Sequence, residues 1–159
     1  PPSAASDVYK RQDLLDAGLV DHMAMDVKGP LDEPGKFARI TGIRPEAAER
    51  MLGSVRRTLE LGIDKAPFLE IRTTFVPTLH DKEDLLKIAE QLADLGLAGR
   101  RRAYYVIQQF WPGGDLIDPS FAEVRQPLAD ELVELAREVK ESFGLEVLVR
   151  TQERGVIRI

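Results

Sequence analysis

The chain has 159 residues, of which 43% are hydrophobic and 31% charged, a balance typical of one globular domain with its own core. No apolar run approaches the ~20 residues of a membrane-spanning helix and no signal-peptide pattern is present, so we expect a cytoplasmic protein without a membrane partner. The formal net charge of -5 argues against a nucleic-acid partner, because such binding normally requires a basic face. The sequence has no cysteine and two histidines, which excludes disulfides and cysteine-ligated clusters within these residues and predicts no metal ligand.

Residues 1–12 have no periodic pattern and are predicted to be disordered or a non-native leader. The pattern of residues 13–18 is typical of the end of a helix. Runs rich in β-branched and aromatic residues predict strands at residues 23–28, 68–76, 103–110 and 145–150. Three amphipathic helices are expected between them, starting near Pro45, Asp81 and Pro127 and ending near Gly62, Gly96 and Gly144.

This alternation of strands and helices predicts an α/β fold with parallel strands joined by right-handed crossovers. A closed (β/α)8 barrel takes about 250 residues, which is more than this chain has. The chain therefore forms either a small open sheet or part of a larger barrel.

Polar side chains interrupt the predicted strands, although a parallel sheet covered on both faces would be nearly all apolar. They are Asp26, Lys28, Glu70, Arg72, Thr74, Gln108 and Gln109. Because ligands of α/β folds lie at the carboxyl ends of strands, we expect these side chains to form a site for a polar ligand. The alternative is a structural network in which Asp26 pairs with Lys28 and Glu70 pairs with Arg72.

Three segments of the chain carry a more specific pattern. Residues 21–28 (DHMAMDVK), 68–74 (FLEIRTT) and 105–110 (YVIQQF) resemble the D-x-x-x-M-D-x-K, Y/F-E-F/I-R-T-T and Y-x-L/I-Q-Q-F segments of one family, and residues 116–119 (LIDP) resemble its L-x-D-P. That family is the activating proteins of anaerobic ribonucleoside-triphosphate reductase, glycyl-radical activases of the radical S-adenosylmethionine (SAM) superfamily.

The resemblance implies a partial (β/α)6 radical SAM barrel, of which residues 13–159 are the C-terminal half. It implies reductive cleavage of S-adenosylmethionine at a 4Fe–4S cluster and hydrogen abstraction from a glycine of the partner reductase. The electrons would come from a donor such as flavodoxin or ferredoxin. The family's C-x3-C-x2-C motif is absent, so the cluster ligands would lie in a missing N-terminal part and the fragment alone would be inactive, with no catalytic residue assigned to it.

The resemblance also implies roles for individual side chains. Lys28 would bind the carboxylate of S-adenosylmethionine, and Asp26 would accept from a ribose hydroxyl or orient Lys28. Arg72 would engage the cofactor, with Glu70 holding its guanidinium group. Gln109, or its neighbour Gln108, would contact the adenosine.

Two other functions fit the same residues. The chain could be a stand-alone α/β module that binds a nucleotide or another anion without redox activity. It could also belong to a different (β/α) barrel enzyme that uses Asp26 and Lys28 as acid–base or Schiff-base groups.

Overall fold

The computed structural model describes residues 4–113 and 116–159, with side chains from residue 9 onward in the first helix. The elements in chain order are α1 (Ala4–Asp16), β1 (Met23–Asp26), α2 (Pro34–Thr41), α3 (Pro45–Lys65), β2 (Leu69–Phe75), α4 (Lys82–Asp94), β3 (Ala103–Gln109), a 3-10 helix (Pro119–Glu123), α5 (Ala129–Phe143), β4 (Val147–Thr151) and β5 (Gly155–Arg158).

The strands form one sheet in the order β1-β2-β3-β4-β5. The first four strands are parallel, with Met25 of β1 opposite Ile71 of β2 and Ile71 opposite Tyr105 of β3, whereas β5 runs antiparallel to β4. The predicted α/β class with parallel strands is thereby confirmed. The partial barrel stays a prediction.

One face of the sheet builds the core. Leu69, Ile71, Tyr105 and Ile107 are each less than 2% exposed and pack in one cluster with apolar side chains of α3, α4 and α5. The residues that alternate with them point away from this core, and we call that side the open face. Its polar members include Asp26, Glu70, Arg72, Thr74, Gln108 and Arg150, all of them partly exposed.

The helix termini follow the local signals of the sequence. Pro45 begins α3, although the helix continues three residues past Gly62 to Lys65. At α4, Asp81 accepts from the Asp84 N–H and the Asp84 carboxylate accepts from the Asp81 N–H, which satisfies two backbone donors of the first turn. The described part of the chain includes no helix that is both long and apolar enough to cross a membrane.

Three short elements, β5, α2 and the 3-10 helix, were not predicted from the sequence. Strand β5 follows a turn of three residues, 152–154, and so short a connection forces antiparallel pairing. Helix α2 has only eight residues, which are too few for a helical period to be recognised in the sequence. It begins at Pro34 and is followed by Gly42, whose backbone is left-handed.

Residues 4–12 form the first part of α1, whereas the sequence predicts disorder for them. The Nη1 of Arg11 donates to Thr58 Oγ1 of α3 across 3.2 Å, and Leu15 packs against the core. These contacts fix the second half of α1 on α3. Residues 1–3 lie outside the described part, and the non-native origin of 1–12 stays a prediction.

Candidate functional site

An ion-pair cluster forms where β1 and β2 approach their carboxyl ends. Asp26, the last residue of β1, lies in register with Arg72 of β2. Arg72 Nε donates to Asp26 Oδ1 across 2.9 Å, and Lys28 Nζ donates to Asp26 Oδ2 across 2.8 Å. One carboxylate therefore binds two cations, one through each oxygen, and holds both on the open face.

The two cations keep Asp26 ionised. Partial burial raises the pKa of its carboxyl group, but the hydrogen bonds and charges of Lys28 and Arg72 outweigh this effect and hold the pKa below its usual value. The Lys28 side chain is 48% exposed, so its ammonium group remains accessible to a ligand.

Glu70 has a different partner from the one predicted. The Nη2 of Arg150, on β4, lies 3.4 Å from both carboxylate oxygens of Glu70, whose side chain is only 12% exposed. The contact crosses β3 above Val106, which is fully buried. The predicted pairing of Glu70 with Arg72 is therefore replaced by two separate pairs, whereas the predicted pairing of Asp26 with Lys28 is present.

Thr74 and Gln108 extend the same polar surface toward β4. They are register partners on β2 and β3, and Gln108 is in turn the register partner of Arg150. Both side chains are partly exposed. The open face thus offers a hydroxyl and an amide beside the charged cluster.

Gln109 lies on the opposite face and is 8% exposed. Its Nε2 donates to Pro127 O across 2.8 Å and to Glu153 Oε1 across 3.3 Å, and its Oε1 accepts from Gln152 N across 2.8 Å. This side chain joins the segment before α5 to the turn after β4. The structure therefore brings Gln108, and not Gln109, together with the cluster.

Sequence reasoning did not include Arg150 in the site. The residue ends the fourth predicted strand, and no local pattern distinguishes it from a solvent-exposed arginine. Only the strand order, which places β4 beside β3, brings its guanidinium group to Glu70.

The side chains of the open face form a mixed set of donors and acceptors. Within the described ranges, no group of three or more histidine, aspartate or glutamate side chains has the proximity to hold a metal ion. The absence of cysteine also means that these residues do not fit a 4Fe–4S cluster. The two cations, the carboxylate, the amide and the hydroxyl of the open face can bind a small polar ligand that carries carboxylate and hydroxyl groups.

Comparison with known proteins supports the broader class of glycyl-radical activating enzymes, but not the specific reductase that the motifs suggested. No protein-family model matches the sequence. A protein of Methanocaldococcus jannaschii, described by inference as a glycyl-radical enzyme activating enzyme, is 32% identical over 140 residues, which are 88% of this chain and 53% of that protein. The chain is a distant homologue of this protein. It spans about half the length of this relative.

Proposed function

We propose that the chain is the S-adenosylmethionine-binding, C-terminal part of a radical SAM enzyme that installs a glycyl radical on an anaerobic ribonucleotide reductase. The observation that carries this proposal is the Lys28–Asp26–Arg72 cluster on the open face of adjacent parallel strands. The similarity to a glycyl-radical activating enzyme supports the class of reaction. The three motifs support the specific reductase.

Each group of the cluster has a counterpart on the cofactor. The exposed ammonium of Lys28 can bind the cofactor carboxylate, and Arg72 adds a second cation with a fixed direction. Asp26 keeps both cations in place and can accept from a ribose hydroxyl. Gln108 and Thr74, which are register partners on the same face, would contact the adenosine.

The redox half of the reaction would belong to residues outside this chain. A 4Fe–4S cluster, held by cysteines of the N-terminal part of the parent protein, would supply the electron that cleaves the cofactor. The electron donor would be flavodoxin or ferredoxin, and the setting would be the cytoplasm. The present residues would bind and orient S-adenosylmethionine.

Calorimetric titration of S-adenosylmethionine into the 159-residue chain tests the binding part of the proposal. We expect saturable binding that Lys28→Ala and Arg72→Ala each weaken roughly 10- to 100-fold, since a hydrogen bond to a charged group contributes about 1.5–3 kcal/mol. Lys82→Ala is the matched control, because Lys82 is 53% exposed and pairs with Glu138 at 2.7 Å on the helical side. Its affinity should be unchanged.

Competing ligands separate this function from its main alternative. Adenosine, ATP and inorganic phosphate should bind more weakly than S-adenosylmethionine. A preference for the phosphate ligands, unaffected by Lys28→Ala, would instead identify an anion-binding module.

The gene itself tests the remaining part. We expect the coding sequence upstream of Pro1 to encode three cysteines in the C-x3-C-x2-C pattern. The complete protein should then form a glycyl radical on the reductase, detected by electron paramagnetic resonance. An upstream sequence without such cysteines contradicts the proposal.

A further inference from the structure

The backbone on either side of the Val27–Lys28 peptide bond is held by hydrogen bonds from the β2 side. Val27 N continues the sheet by donating to Arg72 O across 2.8 Å. The hydroxyl of Thr73 donates to Val27 O across 2.9 Å. The ring Nε2 of His80 lies 2.8 Å from the next carbonyl oxygen, Lys28 O. Two consecutive carbonyls at the proposed site are therefore bound by side chains.

The contacts of His80 define its tautomer. Val76 N donates to His80 Nδ1 across 3.2 Å, so Nδ1 is an acceptor and the ring proton resides on Nε2. Nε2 can then donate to Lys28 O. The His80 backbone N–H also donates to Val76 O across 2.8 Å, which fixes the ring and the backbone of this residue on the same partner.

The surroundings of the ring favour its neutral form. His80 is 6% exposed, and burial lowers the pKa of its imidazole, an effect that the hydrogen bond to Lys28 O and the charge of Asp84 partly oppose. Lys36 is the nearby cation that acts in the same direction as burial, and it is paired with Asp84. A second ring proton, on Nδ1, would face the Val76 N–H and break that hydrogen bond.

We propose that His80 is a positioning residue, which holds the backbone of Lys28 so that the Lys28 ammonium reaches the carboxylate of the ligand. The loop beyond Lys28 is fixed as well, because Leu31 N donates to Gln91 Oε1 of α4 across 2.7 Å. Between these two flanks His80 holds the backbone from which the Lys28 side chain extends, while Asp26 holds its ammonium end. The identity of the ligand rests on the proposed function, but the backbone contact does not.

Affinity measurements with S-adenosylmethionine test the effect on the site. His80→Leu should weaken binding about three- to tenfold, the range expected for one neutral hydrogen bond. In a Lys28→Ala background the same change should have no further effect, since His80 acts through Lys28. Equal losses in both backgrounds would show general damage and overturn the proposal.

A second variant covers the case in which His80→Leu does not fold. The amide of His80→Gln offers N–H donors and a carbonyl acceptor but does not titrate. Affinity of the unaltered chain should hold at pH 6.5, the ordinary histidine pKa, and fall only at lower pH, because burial lowers the pKa of the His80 imidazole and the ring gains its second proton below that value. The affinity of His80→Gln should be independent of pH in this window. Parallel pH profiles for the two proteins would contradict the proposal.

Nuclear magnetic resonance tests the positioning without a ligand. Nitrogen shifts of His80 should report the Nε2-protonated tautomer, and the amide shift of Gly29, whose nitrogen is bonded to the Lys28 carbonyl, should titrate with the His80 ring. Failure of S-adenosylmethionine to bind would count against the proposed function alone. A Gly29 shift that ignores the His80 titration would overturn the positioning role.

Discussion

Arg72 and Asp26 lie opposite each other on neighbouring parallel strands, and Arg72 Nε donates to Asp26 Oδ1 across 2.9 Å. The contact connects two residues that are 46 positions apart in the sequence. The same carboxylate binds Lys28, so one aspartate sets the position of both proposed cofactor-binding cations. Its ionisation should therefore affect both stability and ligand binding.

Replacing Asp26 with asparagine should change how stability depends on pH. The pKa of Asp26 is lowered in the folded protein, so the unfolded chain takes up the proton first as the pH falls. The stabilisation from Asp26 is complete above its ordinary pKa of 3.8 and is lost as the pH drops through that value toward the folded pKa. Asp26→Asn should cost about 0.5 kcal/mol at pH 7, the size of a partly exposed ion pair, and less at low pH.

Urea unfolding at neutral and acidic pH measures this difference. Asp21→Asn is the control, since Asp21 is exposed and forms no ion pair with the described residues. The prediction would be wrong if Asp26→Asn and the unaltered chain lost stability in parallel as the pH fell.

The positions of the strands and of the charged residues could be predicted because they follow local rules. Runs of β-branched residues identified the four parallel strands, and the two-residue period placed Glu70 and Arg72 on one face. The partners of these residues could not be predicted in the same way. Arg150 meets Glu70 from 80 residues away, and only the register of three strands determines that contact.

The two glutamines at the end of β3 show the same limit. Adjacent strand residues point to opposite faces, so Gln108 and Gln109 must lie on different faces of the sheet. The local sequence does not determine which of the two lies on the face that packs against the helices. The choice follows from the apolar partners of β3, because Gln109 shares the face of the buried Tyr105 and Ile107.

Because the two glutamines lie on different faces, we expect a substitution at Gln109 to affect stability and one at Gln108 to affect ligand binding. Gln109→Leu should destabilise the fold by about 1–3 kcal/mol, because Gln152 N and Pro127 O lose a buried partner. Gln108→Ala should change stability by less than about 0.5 kcal/mol but weaken S-adenosylmethionine binding. Urea unfolding and calorimetric titration of both variants measure the two effects. A stable Gln109→Leu variant that has lost its affinity would reverse the assignment.

Removal of the Arg150 side chain should lower the stability of the protein, because Arg150 is the charged partner of Glu70. Arg150→Met leaves a mostly buried carboxylate without its charged partner, and we expect a loss of about 1 kcal/mol. Adding Glu70→Gln should recover part of this loss, since a neutral amide is less costly to bury than an unpaired charge. A double-mutant cycle by urea unfolding measures the coupling. Additive effects would show that the 3.4 Å contact contributes nothing.

Among the ion pairs of the described residues, Lys36–Asp84 should contribute most to the free energy of unfolding. The Lys36 and Asp84 side chains are 16% and 6% exposed, and Asp84 also accepts from Asp81 N at the start of α4. Lys36→Met leaves the buried carboxylate with that one donor and should cost about 2 kcal/mol at pH 7.

The pH dependence of this cost provides the check. Burial raises the pKa of Asp84, but Lys36 and Asp81 together hold it below its usual value. Without Lys36 the pKa should rise, so the variant can relieve the unpaired charge by protonation, and its deficit in unfolding free energy should shrink as the pH falls toward 4. Lys87→Met, which removes an exposed lysine paired with Asp32 and Glu33 of the same region, should show a smaller deficit. Equal deficits for the two lysines would mean that burial of Asp84 does not determine the strength of its ion pair.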